Sequence, residues 1–66
     1  MKKPFKEFIK QAKVGQYFYS VELGVKYRLI KIKKLTSYAI ELNKRDGGVN
    51  DEEVEWDNSD SYKVIW

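Results

Sequence analysis

The segment VKYRLIKIKK, residues 25–34, contains one break in an otherwise regular alternation of apolar and basic side chains. Its apolar residues fall at odd positions up to Leu29 and at even positions from Ile30 onward. Successive side chains of a strand point to opposite faces, so a regular strand cannot bury both sets. One extra residue near Leu29 and Ile30, a β-bulge, would restore the phase and bend the strand. The break therefore predicts a bulged, bent strand in a small β-domain.

The chain has 66 residues and contains neither Cys nor His. A domain of this size buries only about 60% of its unfolded surface, and many such domains rely on disulfides or metals. Without Cys there are no disulfides, and without Cys and His the usual zinc ligands are missing. We therefore expect one domain over residues 1–66, stabilised by the packing of ten aromatic residues. Self-association is an additional source of stability that the sequence leaves open.

A short helix is predicted at the N-terminus, over about 4–13. Pro4 suits the first helical position and Gly15 follows the predicted end. Between them, apolar residues with the spacing i, i+3, i+4 and i+7 form one stripe: Phe5, Phe8, Ile9 and Ala12. Three turns are too few for an isolated helix, so the stripe should pack against the rest of the domain.

After Gly15 the pattern becomes that of strands separated by tight turns. Leu23-Gly24 and Asp46-Gly47-Gly48 are turn signals. Five strands are predicted, over about 16–22, 25–35, 37–43, 52–57 and 62–66. The predicted fold is mainly β (α+β): the helix, then a five-stranded small β-barrel of SH3-like or Sm-like type or a strongly bent antiparallel sheet. A split sheet with the helix across one face is the alternative.

The order of one helix and five bent strands resembles the Sm-like proteins. Leu23-Gly24 and Leu42-Asn43 stand near places where that family has a glycine and a hydrophobic-Asn pair. The second glycine and the Asp of that family's first motif are absent, so the resemblance concerns architecture and assigns no family.

The bulged strand is the first candidate binding surface. With the phase reset, four basic residues share its outward face: Lys26, Arg28, Lys31 and Lys33. Such a line can follow a phosphate backbone, and Tyr17 and Tyr19, on one face of the preceding strand, are candidates to stack on bases. Outward Lys residues are equally typical of a solvated edge strand, where they prevent aggregation, and aromatics in a small barrel often belong to the core.

The second candidate surface is acidic. Residues 1–45 contain twelve basic and three acidic residues, whereas residues 46–66 contain seven acidic residues and one Lys. The acidic candidates are Asp51, Glu52, Glu53, Glu55 and Asp57. Alternate carboxylates on a strand are about 6.6–6.8 Å apart, similar to backbone phosphates, so this segment is either a solvated strand and turn or a mimic of nucleic-acid charge. It is also a conceivable divalent-cation site, but the EF-hand spacing fails.

Catalytic chemistry has little support in the sequence. No His or Cys is present to act as base or nucleophile, and no phosphate-binding glycine motif occurs. We therefore expect no enzymatic activity, no cofactor and no metal site. Neither a signal peptide nor a membrane span is recognisable, which predicts a cytoplasmic protein.

Two hypotheses follow for a small, non-enzymatic binding module. The favoured one is nucleic-acid binding (DNA or RNA) with low sequence selectivity, because Lys outnumbers Arg by eleven to two and acts as a point charge. The alternative is a protein-binding accessory or inhibitor of the phage or mobile-element type, whose acidic segment or aromatic surface binds a basic site on a host protein. If the basic and acidic strands lie side by side, nucleic-acid binding loses its main support.

Overall fold

Six strands in the part of the chain that this computed structural model describes, residues 1–42 and 53–66, form one antiparallel sheet. The elements are β1 (Lys2–Pro4), α1 (Phe5–Phe8), β2 (Tyr17–Ser20), β3 (Val25–Ile32), β4 (Thr36–Glu41), β5 (Glu53–Asp57) and β6 (Lys63–Ile65). The order across the sheet is β1-β6-β2-β3-β4-β5, and the sheet curls into a half-barrel. The predicted class, mainly β with a strongly bent antiparallel sheet, is confirmed.

An aromatic core fills the concave side of the half-barrel. In β2 every second side chain points inward, so Phe18 is buried while its neighbours are exposed. The Phe18 ring lies 5.0 Å from that of Phe8 and 5.4 Å from that of Tyr27, and Phe5 stacks on Trp56 at 4.6 Å. Aromatic packing therefore supplies the core that a chain without disulfides requires.

The helix prediction is correct in packing and wrong in length. The α-helix covers Phe5–Phe8 and not residues 4–13. The chain tightens where Gln11 N–H donates to the Phe8 carbonyl at 3.1 Å, and it then turns towards β2 through Gly15, whose φ is 95°. The apolar stripe still packs inward, with Phe5 and Phe8 buried and the two later residues against the core. Tertiary contacts thus maintain a turn that is too short to be stable alone.

The sequence analysis missed one strand, and most of the observed strands are shorter than predicted. β1 pairs with β6, bringing Lys2 opposite Ile65, and Met1 and Trp66 exchange backbone hydrogen bonds. The sequence Lys-Lys-Pro has no strand propensity, so nothing local indicated it. Most ends of the described strands lie one to three residues inside the predicted ends. The predicted turn at 46–48 and the inner ends of strands 37–43 and 52–57 lie outside the described residues.

The bulge in the basic strand is confirmed. The pairing of β3 with β4 shifts between Leu29 and Lys31, so Ile30 is the extra residue. Leu29 is buried before the bulge, and Lys31 is exposed after it. The cations on both sides of the bulge therefore reach the same outer face.

None of the helices in the described ranges is long and apolar enough to cross a membrane.

Candidate nucleic-acid interface

The outer, convex face of the sheet is built by the pairing of β3 with its two neighbours. On one side Tyr17 of β2 is opposite Arg28. On the other side, beyond the bulge, Lys31 is opposite Tyr38 of β4. Because paired residues point to the same face, each basic part of β3 has a tyrosine beside it.

Two cation–tyrosine clusters result. The Lys26 ammonium lies 5.4 Å and the Arg28 guanidinium 5.5 Å from the centre of the Tyr17 ring. Around Tyr38, the ammonium groups of Lys31 and Lys33 lie at 5.8 and 5.5 Å from the ring centre. Such contacts contribute about 0.5–1 kcal/mol each at exposed sites. They orient all four predicted cations along one line, although Lys33 itself follows the end of β3.

Further hydrogen bonds hold Arg28 and the backbone at Lys33 in place. Arg28 Nε donates a hydrogen bond of 3.3 Å to the Gly15 carbonyl. Asn58 Nδ2 donates to the carbonyl oxygens of Lys33 at 2.8 Å and Lys34 at 3.2 Å. Asn58 was not a predicted site residue, because its segment had only the composition of a polar turn. It positions Lys33 through the backbone.

The two tyrosines of β2 are accessible. Tyr17 is 50% exposed and Tyr19 is 40% exposed, whereas Phe18 between them is in the core. The predicted face of β2 is therefore the outer one, and α1 does not cover it. The surface combines a basic strand with aromatic rings that bases can stack on.

Tyr38 is a second site residue, besides Asn58, that the sequence did not predict. Its alternation with Ser37 and Ala39 gave no indication of which set faces outward, and the two small residues are the buried ones. The Tyr38 hydroxyl donates to Glu55 Oε2 at 3.3 Å. The negative charge of Glu55, followed by partial desolvation, raises the pKa of Tyr38 above its ordinary value. Tyr38 thus contacts both the cations of β3 and the carboxylate of Glu55 on β5.

The acidic strand does not lie next to the basic one. β4 separates β3 from β5, and Glu53, Glu55 and Asp57 are exposed on the outer face of β5. Two strand spacings are about 9.6 Å, which is close to the Debye length of about 8–10 Å near physiological salt. Among the described residues the single ion pair is Lys10 with Glu7, at 3.3 Å.

Asp57, the last residue of β5, also caps the turn that follows the strand. Asp57 accepts hydrogen bonds from the Ser59 hydroxyl at 2.7 Å and the Ser59 N–H at 2.9 Å, and these bonds lower the pKa of Asp57. Asp51 and Glu52 lie outside the described residues. Within the described ranges, no group of three or more acidic residues is close enough to hold a metal ion.

The surface is therefore organised as parallel stripes, with exposed tyrosines on β2, cations on β3, Tyr38 on β4 and carboxylates on β5. Comparison with protein-family models, curated proteins and solved structures found no match to this chain.

Proposed function

We propose that this protein is a small, non-enzymatic module that binds nucleic acid with low sequence selectivity through the outer face of β3. The observation that carries the proposal is the pair of cation–tyrosine clusters, Lys26 and Arg28 around Tyr17, and Lys31 and Lys33 around Tyr38. Assignment of the half-barrel to an SH3-like or Sm-like type belongs to the same proposal.

The energetics of such a surface are set by phosphate contacts and stacking. Each phosphate neutralised on a single strand contributes about −0.7 to the log–log salt slope. Four contacts would weaken binding about 50-fold between 50 and 200 mM salt. A base on an exposed ring adds about 1–3 kcal/mol, and Tyr17 and Tyr19 are exposed rings on the strand next to β3.

Low selectivity follows from the chemistry of the cations. Three of the four are Lys residues, which act as point charges and do not read a base edge. Arg28 is the one side chain of the four that can contact guanine with two hydrogen bonds. Its Nε already donates to the Gly15 carbonyl. Backbone contacts should therefore outweigh base recognition.

Titration with single-stranded DNA, duplex DNA and RNA at about 50 and 200 mM salt tests the proposal. A variant with glutamine at the four outer-face positions (Lys26, Arg28, Lys31 and Lys33) should lose binding. A control with glutamine at Lys2, Lys3, Lys13 and Lys63, all exposed, removes equal charge and should weaken binding far less. Absence of binding by the wild type at 50 mM salt contradicts the proposal.

The second candidate function is protein binding through the outer face of β5. It is favoured by the alternate carboxylates of Glu53 and Glu55, exposed on the last strand of the described sheet order. Their spacing of about 6.6–6.8 Å imitates that of phosphates, which suits a basic site on a host protein. Capture of a host protein that persists after nuclease treatment, and that E53K/E55K abolishes, would favour this function over the first.

A further inference from the structure

A second cluster of lysines surrounds a groove at one end of the half-barrel. The groove has a volume of about 480 Å³ and lies between α1 with the turn after it and the end of β3. Four of its lining residues are lysines, and two are aliphatic: Lys6, Lys10, Lys33, Lys34, Ile9 and Ile32. None of the described residues that line it is acidic, and the nearby carboxylates of Glu7 and Asp57 are bonded to Lys10 and Ser59, so the groove walls favour an anionic ligand.

The groove and the outer face of β3 are connected by Lys33. Its ammonium lies 5.5 Å from the Tyr38 ring on the convex face, and the same residue lines the groove. Ile32 is paired with the buried Ser37 and therefore points to the concave side, where it remains 36% exposed. A basic path thus runs along β3, passes Lys33 and turns around the end of the sheet.

The polar groups of the groove favour a backbone over a base. Asn58 also lines it, but its side-chain amide is bonded to the carbonyls of Lys33 and Lys34 and to the Ser37 hydroxyl. Ser59 likewise donates its hydroxyl to Asp57. The lysine ammonium groups are the principal charged donors, and they suit phosphates as point charges, while the two isoleucines offer an apolar floor for a sugar or base.

We propose that the groove binds the continuation of a single strand whose first phosphates lie along β3, so that the preferred ligand is single-stranded and longer than the outer face. This inference rests on the proposed nucleic-acid function. A single strand is flexible enough to follow the turn at Lys33. Duplex DNA, with a persistence length of about 50 nm, contacts the outer face and does not enter the groove.

The length of the path sets the test. Lys26 and Lys33 are seven positions apart, but Ile30 is the extra residue of the bulge, so the path between them is about six strand steps. This length of about 20 Å is spanned by about four backbone phosphates. Oligothymidylates of about 4 and about 12 nucleotides, within the site sizes of single-strand-binding domains, therefore distinguish the outer face alone from the outer face with the groove.

The variant K6Q/K34Q removes two charges that belong only to the groove. Lys10 is left unchanged because it pairs with Glu7, and Lys33 because both surfaces share it. The matched control, K2Q/K63Q, removes the same charge from exposed positions on β1 and β6. Affinities are measured for the two oligothymidylates and for a duplex, over a range of salt concentrations.

We expect K6Q/K34Q to reduce the salt slope of the longer strand by about 1.4, the equivalent of two single-strand phosphates, and to leave the shorter strand and the duplex as in the control. If K6Q/K34Q matches K2Q/K63Q on the longer strand, or weakens all three ligands equally, the groove is not on the path and the inference is overturned. The proposed function then stands, because wild-type binding persists. Absence of wild-type binding to every ligand overturns both.

Discussion

At the scale of single residues, Asn58 joins the segment after β5 to the turn between β3 and β4, more than twenty residues earlier in the sequence. Its side-chain oxygen accepts a hydrogen bond from the buried Ser37 hydroxyl at 2.7 Å, and its amide group donates to the carbonyls of Lys33 and Lys34. Its backbone N–H donates to the Leu35 carbonyl at 3.0 Å. One turn residue therefore fixes the β3–β4 turn, which carries the last cation of the outer face.

Replacement of Asn58 by alanine should destabilise the fold by about 1–3 kcal/mol, because the buried Ser37 hydroxyl then has lost its acceptor. Chemical unfolding followed by circular dichroism measures the change. Ser61→Ala, in the same exposed segment, is the control and should change stability by less than about 0.5 kcal/mol.

The double variant S37A/N58A provides a stricter test, since it removes both partners of the hydrogen bond. Its loss of stability should be smaller than the sum of the two single losses, as expected for residues in direct contact. Strict additivity would show that Ser37 and Asn58 do not interact.

Residue patterns predicted the outward cations but not all of their partners. The phase break at Leu29 and Ile30 was sufficient to place Lys26 and Lys31 on one face, because strand alternation is a local rule. The role of Tyr38 depends on which face of β4 is inward, and the inward face is the one on which Ser37 is paired with the buried Trp56. The orientation of β4 therefore depends on its partner strand and could not be predicted from the residue pattern of β4 alone.

At the scale of elements, the bulge is the feature that gives β3 its two basic parts. Ile30 interrupts the pairing with β4, and the residues on either side keep their partners: Leu29 with Ala39, and Lys31 with Tyr38. Bulges increase the local twist and bend of a strand. Curvature of the sheet and continuity of the basic line therefore have a common origin.

Deletion of Ile30 should be tolerated better than other deletions within the sheet, since it removes the extra residue and leaves every flanking pair in register. The deletion variant should unfold cooperatively and retain the pattern of backbone amide signals in a two-dimensional NMR spectrum. Deletion of Ala39 is the control. It lies in β4, which is paired on both sides, so its loss breaks two registers and should abolish the fold.

Equal disruption by the two deletions would contradict the assignment of Ile30 as the extra residue.

The other elements show which features a local sequence pattern could not predict. The stripe beginning at Phe5 predicted packing correctly, whereas the length of α1 was set by the path to Gly15 and β2. β1 is formed by the pairing of the chain ends, Lys2 with Ile65, a contact that no local pattern contains.

At the scale of the whole molecule, the aromatic core and the proposed binding surface along β3 lie on opposite faces of one curled sheet. The concave face holds the aromatic core, and the convex face carries the stripes of charge. Because the sheet has a single layer, each strand contributes alternate residues to the two faces. β2 is the clearest case: Phe18 packs in the core, and Tyr17 and Tyr19 are exposed.

Because of this division, substitution of neighbouring aromatic residues in β2 should change the stability of the fold by different amounts. A domain of 66 residues has a total stability of about 3–10 kcal/mol at typical values per residue. Truncation of a buried Phe to Ala costs about 3–5 kcal/mol. Phe18 is 2% exposed, and its ring is within 5.6 Å of those of Phe5, Phe8, Tyr27 and Trp56.

We therefore expect Phe18→Ala to be largely unfolded at room temperature or to unfold at a much lower denaturant concentration than the wild type. Tyr17→Ala, one residue away on the outer face, should lose about 1–2 kcal/mol, the scale of its two exposed cation–π contacts with Lys26 and Arg28. Urea unfolding followed by tryptophan fluorescence measures both, since Trp56 lies in the core. Equal effects of the two substitutions would show that β2 does not divide its side chains between a core and a binding face. If instead Tyr17→Ala remains folded but binds single strands weakly, β2 contributes one face to the core and the other to the proposed binding surface.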